Sequence, residues 1–140
     1  MSGRKDDNAD NNVEAYTATM EVLVWVTLQF PHVHCWPEAP EYGVLSNTPT
    51  LFLRNPHRHM FHVKIGVDVQ NLNRQVEFFD FKAFVKQYID DFLPAWSQSS
   101  CEMMALDLAK DVGAGLGGYN KIICTVSEDG ENGATVTLTN

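Results

Sequence analysis

Apolar and polar residues alternate along the first ordered stretch of the chain. Met20, Val22, Val24, Val26, Leu28 and Phe30 recur at every second position and predict a strand over roughly residues 17–34. The opposite face carries Glu21, Leu23, Trp25, Thr27 and Gln29 and is only partly polar. Such a strand calls for cover on both sides, by a helix layer on one and a neighbouring subunit on the other. A second strand is predicted over 57–69, with His57, His59, Phe61, Val63, Ile65, Val67 and Val69 on one face. Arg58, Met60, His62, Lys64 and Asp68 share its other face. Residues 35–56 lie between, with Pro37, Pro40, Pro49 and Pro56; a loop of that length in a compact domain is often functional.

The period then changes. Phe81, Phe84, Val85, Tyr88, Ile89 and Phe92 follow helical spacing, and Pro94 ends that helix. A second helix is predicted from Ser99, burying Cys101, Met104, Ala105 and Leu108, with Gly113, Gly115, Gly117 and Gly118 as its stop. Strands at 121–128 and 134–139 flank Asp129-Gly130-Glu131-Asn132-Gly133, whose Asp-Gly and Asn-Gly steps supply the positive φ of a tight hairpin. The order ββααββ reads as an α+β fold, an antiparallel sheet with a helix pair on one face. Residues 1–13 are polar and expected to be a disordered tail, and 14–140 a single domain.

Composition narrows the function classes. A net charge of −8 argues against non-specific nucleic-acid binding, which needs clustered Lys and Arg. No stretch approaches the roughly 18 apolar residues that span a bilayer, so no membrane partner is expected. The odd count of cysteines, Cys35, Cys101 and Cys124, is not a disulfide framework and fits a reducing compartment, hence a cytoplasmic location.

Candidate chemistry sits where the two long strands meet. His32 and His34 end the apolar face of the first strand, and His57 and His59 open that of the second. Antiparallel pairing would bring His34, His57 and His59 together at one end of the sheet. Three neutral imidazoles there suit a catalytic-type zinc with an open position. His32 is an extra ligand or a group behind the ligands, and His62 points to the other face. Glu128, at the end of the third strand, is placed to accept two parallel N–H bonds from the amino-pyrimidinone edge of a pterin or guanine. Glu102 reads as a capping-box acid three residues after Ser99, with a substrate contact as the other reading. Cys35 reads as a nucleophile or a loop thiol, Asp90 and Asp91 as base-orienting groups or solvated helix acids, and Arg58 as a phosphate contact or a solvent-facing side chain.

From Phe30 to Val136 these motifs resemble the 6-pyruvoyl-tetrahydropterin synthase and 6-carboxytetrahydropterin synthase family. The first-ligand pattern Phe-x-x-x-His appears as Phe30 to His34, and the paired ligands as His57-Arg58-His59 followed by Met60-Phe61-His62-Val63. Val76-Glu77-Phe78-Phe79-Asp80-Phe81-Lys82, the Ser99 to Glu102 helix start and Glu128 match further segments. The resemblance implies a T-fold that oligomerises into a barrel, a homohexamer of two stacked trimers with sites between subunits. It implies one zinc per subunit on His34, His57 and His59, and a pterin ring held by Glu128. The activity implied is that of a lyase on 7,8-dihydroneopterin triphosphate or a related pterin, in 7-deazaguanine (queuosine-type) or pterin synthesis. The family's cysteine before the His-x-His pair is missing from Leu51-Phe52-Leu53-Arg54-Asn55-Pro56, and its Asp-His step is replaced by Asp90-Asp91. Cys35, Asp90, Asp91 or Glu77 would then take altered roles. The alternatives are an enzyme of altered chemistry and a non-catalytic pterin- or purine-binding T-fold protein.

Overall fold

The computed structural model describes residues 11–16 and 18–140. The first ten residues of the expected tail and Thr17 lie outside the described residues. Asn11 to Val13 are tied to the segment after the second strand: Leu72 N–H donates to Asn11 O (2.6 Å), Val13 N–H donates to Gln70 O (2.8 Å), and Asn12 bridges Asn71.

Four strands, β1 (Leu23–His34), β2 (His57–Asp68), β3 (Lys121–Glu128) and β4 (Asn132–Thr139), form one antiparallel sheet in the order β1-β2-β3-β4. Two helices, α1 (Phe78–Phe92) and α2 (Cys101–Gly115), lie between β2 and β3 in the chain. The ββααββ order read from periodicity is the order observed, in an α+β architecture. Among the described residues no helix is long and apolar enough to cross a membrane.

β1 begins at Leu23, later than the expected residue 17, because a strand extends only as far as its ladder. Leu23 pairs with Asp68, where β2 ends. Asp68 Oδ1 there accepts from Asn120 N–H (2.8 Å) and Lys121 N–H (2.6 Å), closing the end of the sheet. β1 is an edge strand, which is why Pro31, lacking an N–H, is tolerated inside it.

Cross-strand pairing sets the core. Phe30↔Phe61, Leu28↔Val63, Val26↔Ile65 and Val24↔Val67 put one apolar face of β1 and β2 on the same side. Ile122, Cys124 and Val126 of β3 continue it. Phe81, Val85 and Ile89 of α1, and Met104, Ala105, Leu108, Ala109 and Val112 of α2, cover that face. Each large aliphatic or aromatic side chain so buried contributes about 1.5–3 kcal/mol. Trp96 lies in a short turn of 3-10 helix, Leu93–Trp96, and is fully buried against Phe30 and Phe92 while its indole N–H donates to Asp107 Oδ2 (2.9 Å). The opposite sheet face is more polar. There Lys64 Nζ lies 4.1 Å from the centre of the half-exposed Trp25 ring.

The helix ends differ from expectation in instructive ways. α1 starts at Phe78 because Glu77 caps it, accepting from Phe79 N–H (2.7 Å) and Asp80 N–H (3.0 Å). Those two bonds hold the Glu77 carboxyl below its usual range. α2 is capped by Ser100, whose Oγ accepts from Met103 N–H (3.2 Å), rather than by Ser99. Gly113 and Gly115 lie inside α2 instead of stopping it. A Cβ at Gly113 would overlap the Tyr119 ring, and one at Gly115 would overlap Tyr88 and Phe84. Gly117, with φ 82°, is the glycine at the helix end.

Candidate metal centre

The antiparallel register of β1 and β2 places His34 opposite His57 and His32 opposite His59. Directly paired residues share a sheet face, so all four side chains stand on the core side at one end of the hairpin. Three of them converge. Ring centroids are 4.6 Å apart for His34–His57, 5.0 Å for His57–His59 and 5.5 Å for His34–His59.

Each of the three rings has its Nδ1 committed to an oxygen. His34 Nδ1–H donates to Ser99 O (2.9 Å), His57 Nδ1–H to Asn55 O (2.8 Å) and His59 Nδ1–H to Asp129 Oδ2 (2.7 Å). A carbonyl or ionised carboxylate oxygen only accepts, so Nδ1 carries a proton, and in the neutral ring the lone pair is on Nε2. That is the tautomer of an imidazole ready to ligate a cation, oriented from behind by a fixed acceptor. Glu128 completes the group: one donor atom each from His34, His57, His59 and Glu128 lie within 4.8 Å of one another. This group can hold a metal ion, and a set of three imidazoles and one carboxylate suits first-row transition ions.

A buried atom tests the fit. His34 is 7% exposed, and its Nε2 has no hydrogen-bond partner. Glu128 Oε2 lies only 3.0 Å away, within ion-pair distance but not in hydrogen-bonding alignment. An unpaired buried polar atom costs about 1–3 kcal/mol; a cation on Nε2 removes that cost. The residues present therefore fit a bound metal.

Asp129 deserves its place in the site through three bonds. Its Oδ1 accepts from Met60 N–H (2.9 Å), its Oδ2 accepts from His59, and its own N–H donates to Met60 O (2.7 Å). The Met60 N–H first, and then the His59 N–H, hold its carboxyl below the usual range. Asp129 and Gly130, with φ of 57° and 71°, form the β3–β4 turn closed by Glu131 N–H to Glu128 O (3.0 Å). The turn thus points a carboxylate at the His59 ring.

Comparison with models of known protein families gives no match, and no curated protein matches the chain.

A cleft of about 490 Å³ opens beside the histidines, bordered by His34, His57, Glu128, Cys35, Glu102 and the Trp36–Glu38 segment, among others. Of the residues singled out from the sequence, His34, His57, His59 and Glu128 form the cluster, and Cys35 and Glu102 line the cleft. Cys35 is half-buried, and its N–H donates to Ser97 O (3.0 Å). Glu102 is an exposed acid in the first turn of α2. Arg58 is not brought there: it stands exposed on the opposite sheet face, because it alternates with His57 and His59. Asp90 and Asp91 are not brought there either. They lie on the solvent side of α1, whose inner side is Phe81, Val85 and Ile89, and Asp90 pairs with Lys86 (2.7 Å). His32 lies outside the cluster, tilted against the stacked Phe30 and Phe61 rings (centroids 6.4 and 6.0 Å away), and His62 is on the other face. Cys101 borders the cleft, but burial first, and then Glu128 and Glu102, push its thiol up to about 11, so it stays protonated at neutral pH.

Sequence reasoning missed the acceptors behind the rings. Asp129 was visible as a turn residue, but its bond to His59 follows from the β2–β3 register, which pairs Phe61 with Glu128. The carbonyls of Asn55 and Ser99 carry no residue-type signal.

Proposed function

We propose that the chain is a zinc-dependent enzyme of the 6-pyruvoyl/6-carboxytetrahydropterin synthase type. In this reading it acts as a lyase on 7,8-dihydroneopterin triphosphate or a related pterin. The observation that carries it is the set of three imidazoles with Nδ1 committed and Nε2 free, at the mouth of a cleft. Zinc is the resident ion of choice because it favours three protein nitrogens with a further position for oxygen. Bound there, zinc would polarise the oxygens of the substrate side chain. Glu128, on the rim of the same cleft, is the acceptor for the amino-pyrimidinone edge, and Glu102 is a second acid within it. Cys35 is the cleft residue offered for proton transfer.

The T-fold assembly belongs to the same proposal. The outer edges of β1 and β4 pair with no other strand among the described residues. The two strands run antiparallel to each other, so β4 of one copy can extend the ladder of β1 in the next and close a barrel. A homohexamer of two stacked trimers in the cytoplasm is the expected form.

A second reading is a non-catalytic pterin- or purine-binding protein. It is favoured by the placement of Asp90 and Asp91 away from the cleft within one chain. Incubation of the metal-loaded protein with 7,8-dihydroneopterin triphosphate, followed by mass analysis, separates the two. New pterin products support the enzyme; tight binding with unchanged substrate supports the binder.

A further inference from the structure

Glu128 meets the histidines in a way that a substrate anchor alone does not explain. The Nδ1–H of His34 is committed to Ser99 O, so in the neutral ring its Nε2 carries a lone pair, and Glu128 Oε2, another lone-pair atom, lies 3.0 Å from it. No hydrogen bond joins them. Glu128 Oε1 lies 3.8 Å from Nε2 of His59, whose proton is likewise held on Nδ1, by Asp129. One carboxylate therefore faces two imidazole lone pairs. Groups of that kind repel at such range unless a cation lies between them. Donors at 2.0–2.1 Å from a tetrahedral ion are separated by about 3.3–3.4 Å, and the gaps of 3.0 Å to one carboxylate oxygen and 3.8 Å to the other each lie within about half an ångström of that spacing.

We infer that Glu128 is the fourth ligand of the metal in the resting protein, and that a planar heterocycle entering the cleft draws it off. Glu128 is the last residue of β3, its side chain is 28% exposed, and it borders both the cluster and the cleft. A rotation of its two methylenes is enough to exchange one partner for the other. Recognition of the N–H edge and opening of a coordination position then become one event. The fully ligated resting site would be inert until the correct ring arrives. The ligand role depends only on metal binding, while the displacement rests on the pterin reading above.

The test loads the full-length chain with cobalt(II), whose visible bands are intense in four-coordinate sites and weaken as coordination expands. Wild type, E128Q and E102Q are compared, with circular dichroism confirming that each is folded. E128Q should bind cobalt about 10–100-fold more weakly with weakened bands, whereas E102Q, altered in the cleft but outside the cluster, should match wild type. Neopterin added to wild type should move the bands toward those of E128Q and leave those of E128Q unmoved. E128Q with the bands and affinity of wild type would overturn the ligand role and leave the three-histidine site standing. A wild type that takes up no cobalt would overturn both. Neopterin that binds without moving the wild-type bands would overturn the displacement, and neopterin that fails to bind would overturn it together with the pterin reading.

Discussion

Asp129 offers the sharpest perturbation of the candidate metal centre, because it orients His59 without belonging to the four-residue cluster. Its carboxylate divides between His59 Nδ1–H (2.7 Å) and Met60 N–H (2.9 Å). In Asp129→Asn the side chain has one acceptor and one donor head for two N–H groups, so one of them loses its partner. If His59 is the loser, its ring is free to rotate or to move its proton onto Nε2, where a cation cannot bind. Loss of such a partner behind a ligand lowers metal affinity 10–100-fold in general. The Asp129 side chain is 46% exposed, so water replaces part of what is lost. We therefore expect the lower end, about tenfold. Asp129→Gly is the companion variant: φ is 57° here, a conformation glycine adopts freely, so the turn survives while both acceptor bonds vanish. Competition against a chromophoric chelator at neutral pH reads the affinity, and thermal unfolding of the metal-free proteins reads the turn. Both variants should lose affinity while Asp129→Gly keeps the apo melting temperature. Affinities within twofold of wild type would refute the orienting role.

Other consequences concern the frame that carries the site. Leu108 is fully buried beneath the sheet, so Leu108→Ala should destabilise by about 2–5 kcal/mol, measured by urea unfolding. Gly113→Ala places a methyl against the Tyr119 ring and should cost about 1–3 kcal/mol despite alanine's better helix propensity, where a neutral or stabilising effect would show that the ring moves aside. The Glu77 carboxyl is held below its usual range by the Phe79 and Asp80 N–H groups. Its folded value lies below its unfolded value, about 4.3. Its contribution is therefore present above that pH and lost as pH falls through the lowered value. The melting-temperature gap between wild type and Glu77→Ala should be constant near neutrality and close on acidification.

How much of this was legible in the sequence depended on range. Period-two alternation at Val24 to Phe30 and at Phe61 to Val67 located β1 and β2. It also put His34, His57 and His59 on one face, because the histidines extend those apolar stripes. The Asp129-Gly130 turn was legible from composition, and β4 proved longer than expected only because its pairing reaches back to Asn132. Features set by distant contacts were not legible. Gly113 and Gly115 looked like helix stops and are instead the space that Tyr119 and Tyr88 occupy. Ser99 and Ser100 are equally good caps by residue type. Ser100 takes the role, and the Ser99 carbonyl serves His34 across 65 positions of sequence. The acids in α1 could not be placed from residue type alone, since Asp90 and Asp91 fall outside the inward stripe that orients that helix.

The proposed function stands on one metal ion held by three imidazole nitrogens and Glu128. Elemental analysis of protein refolded with zinc and then dialysed tests it most directly, comparing wild type with the His57→Ala/His59→Ala double variant. One zinc per wild-type chain, and none in a folded double variant, is the predicted result. A folded wild type that retains no zinc, or a double variant that retains it in full, would contradict it.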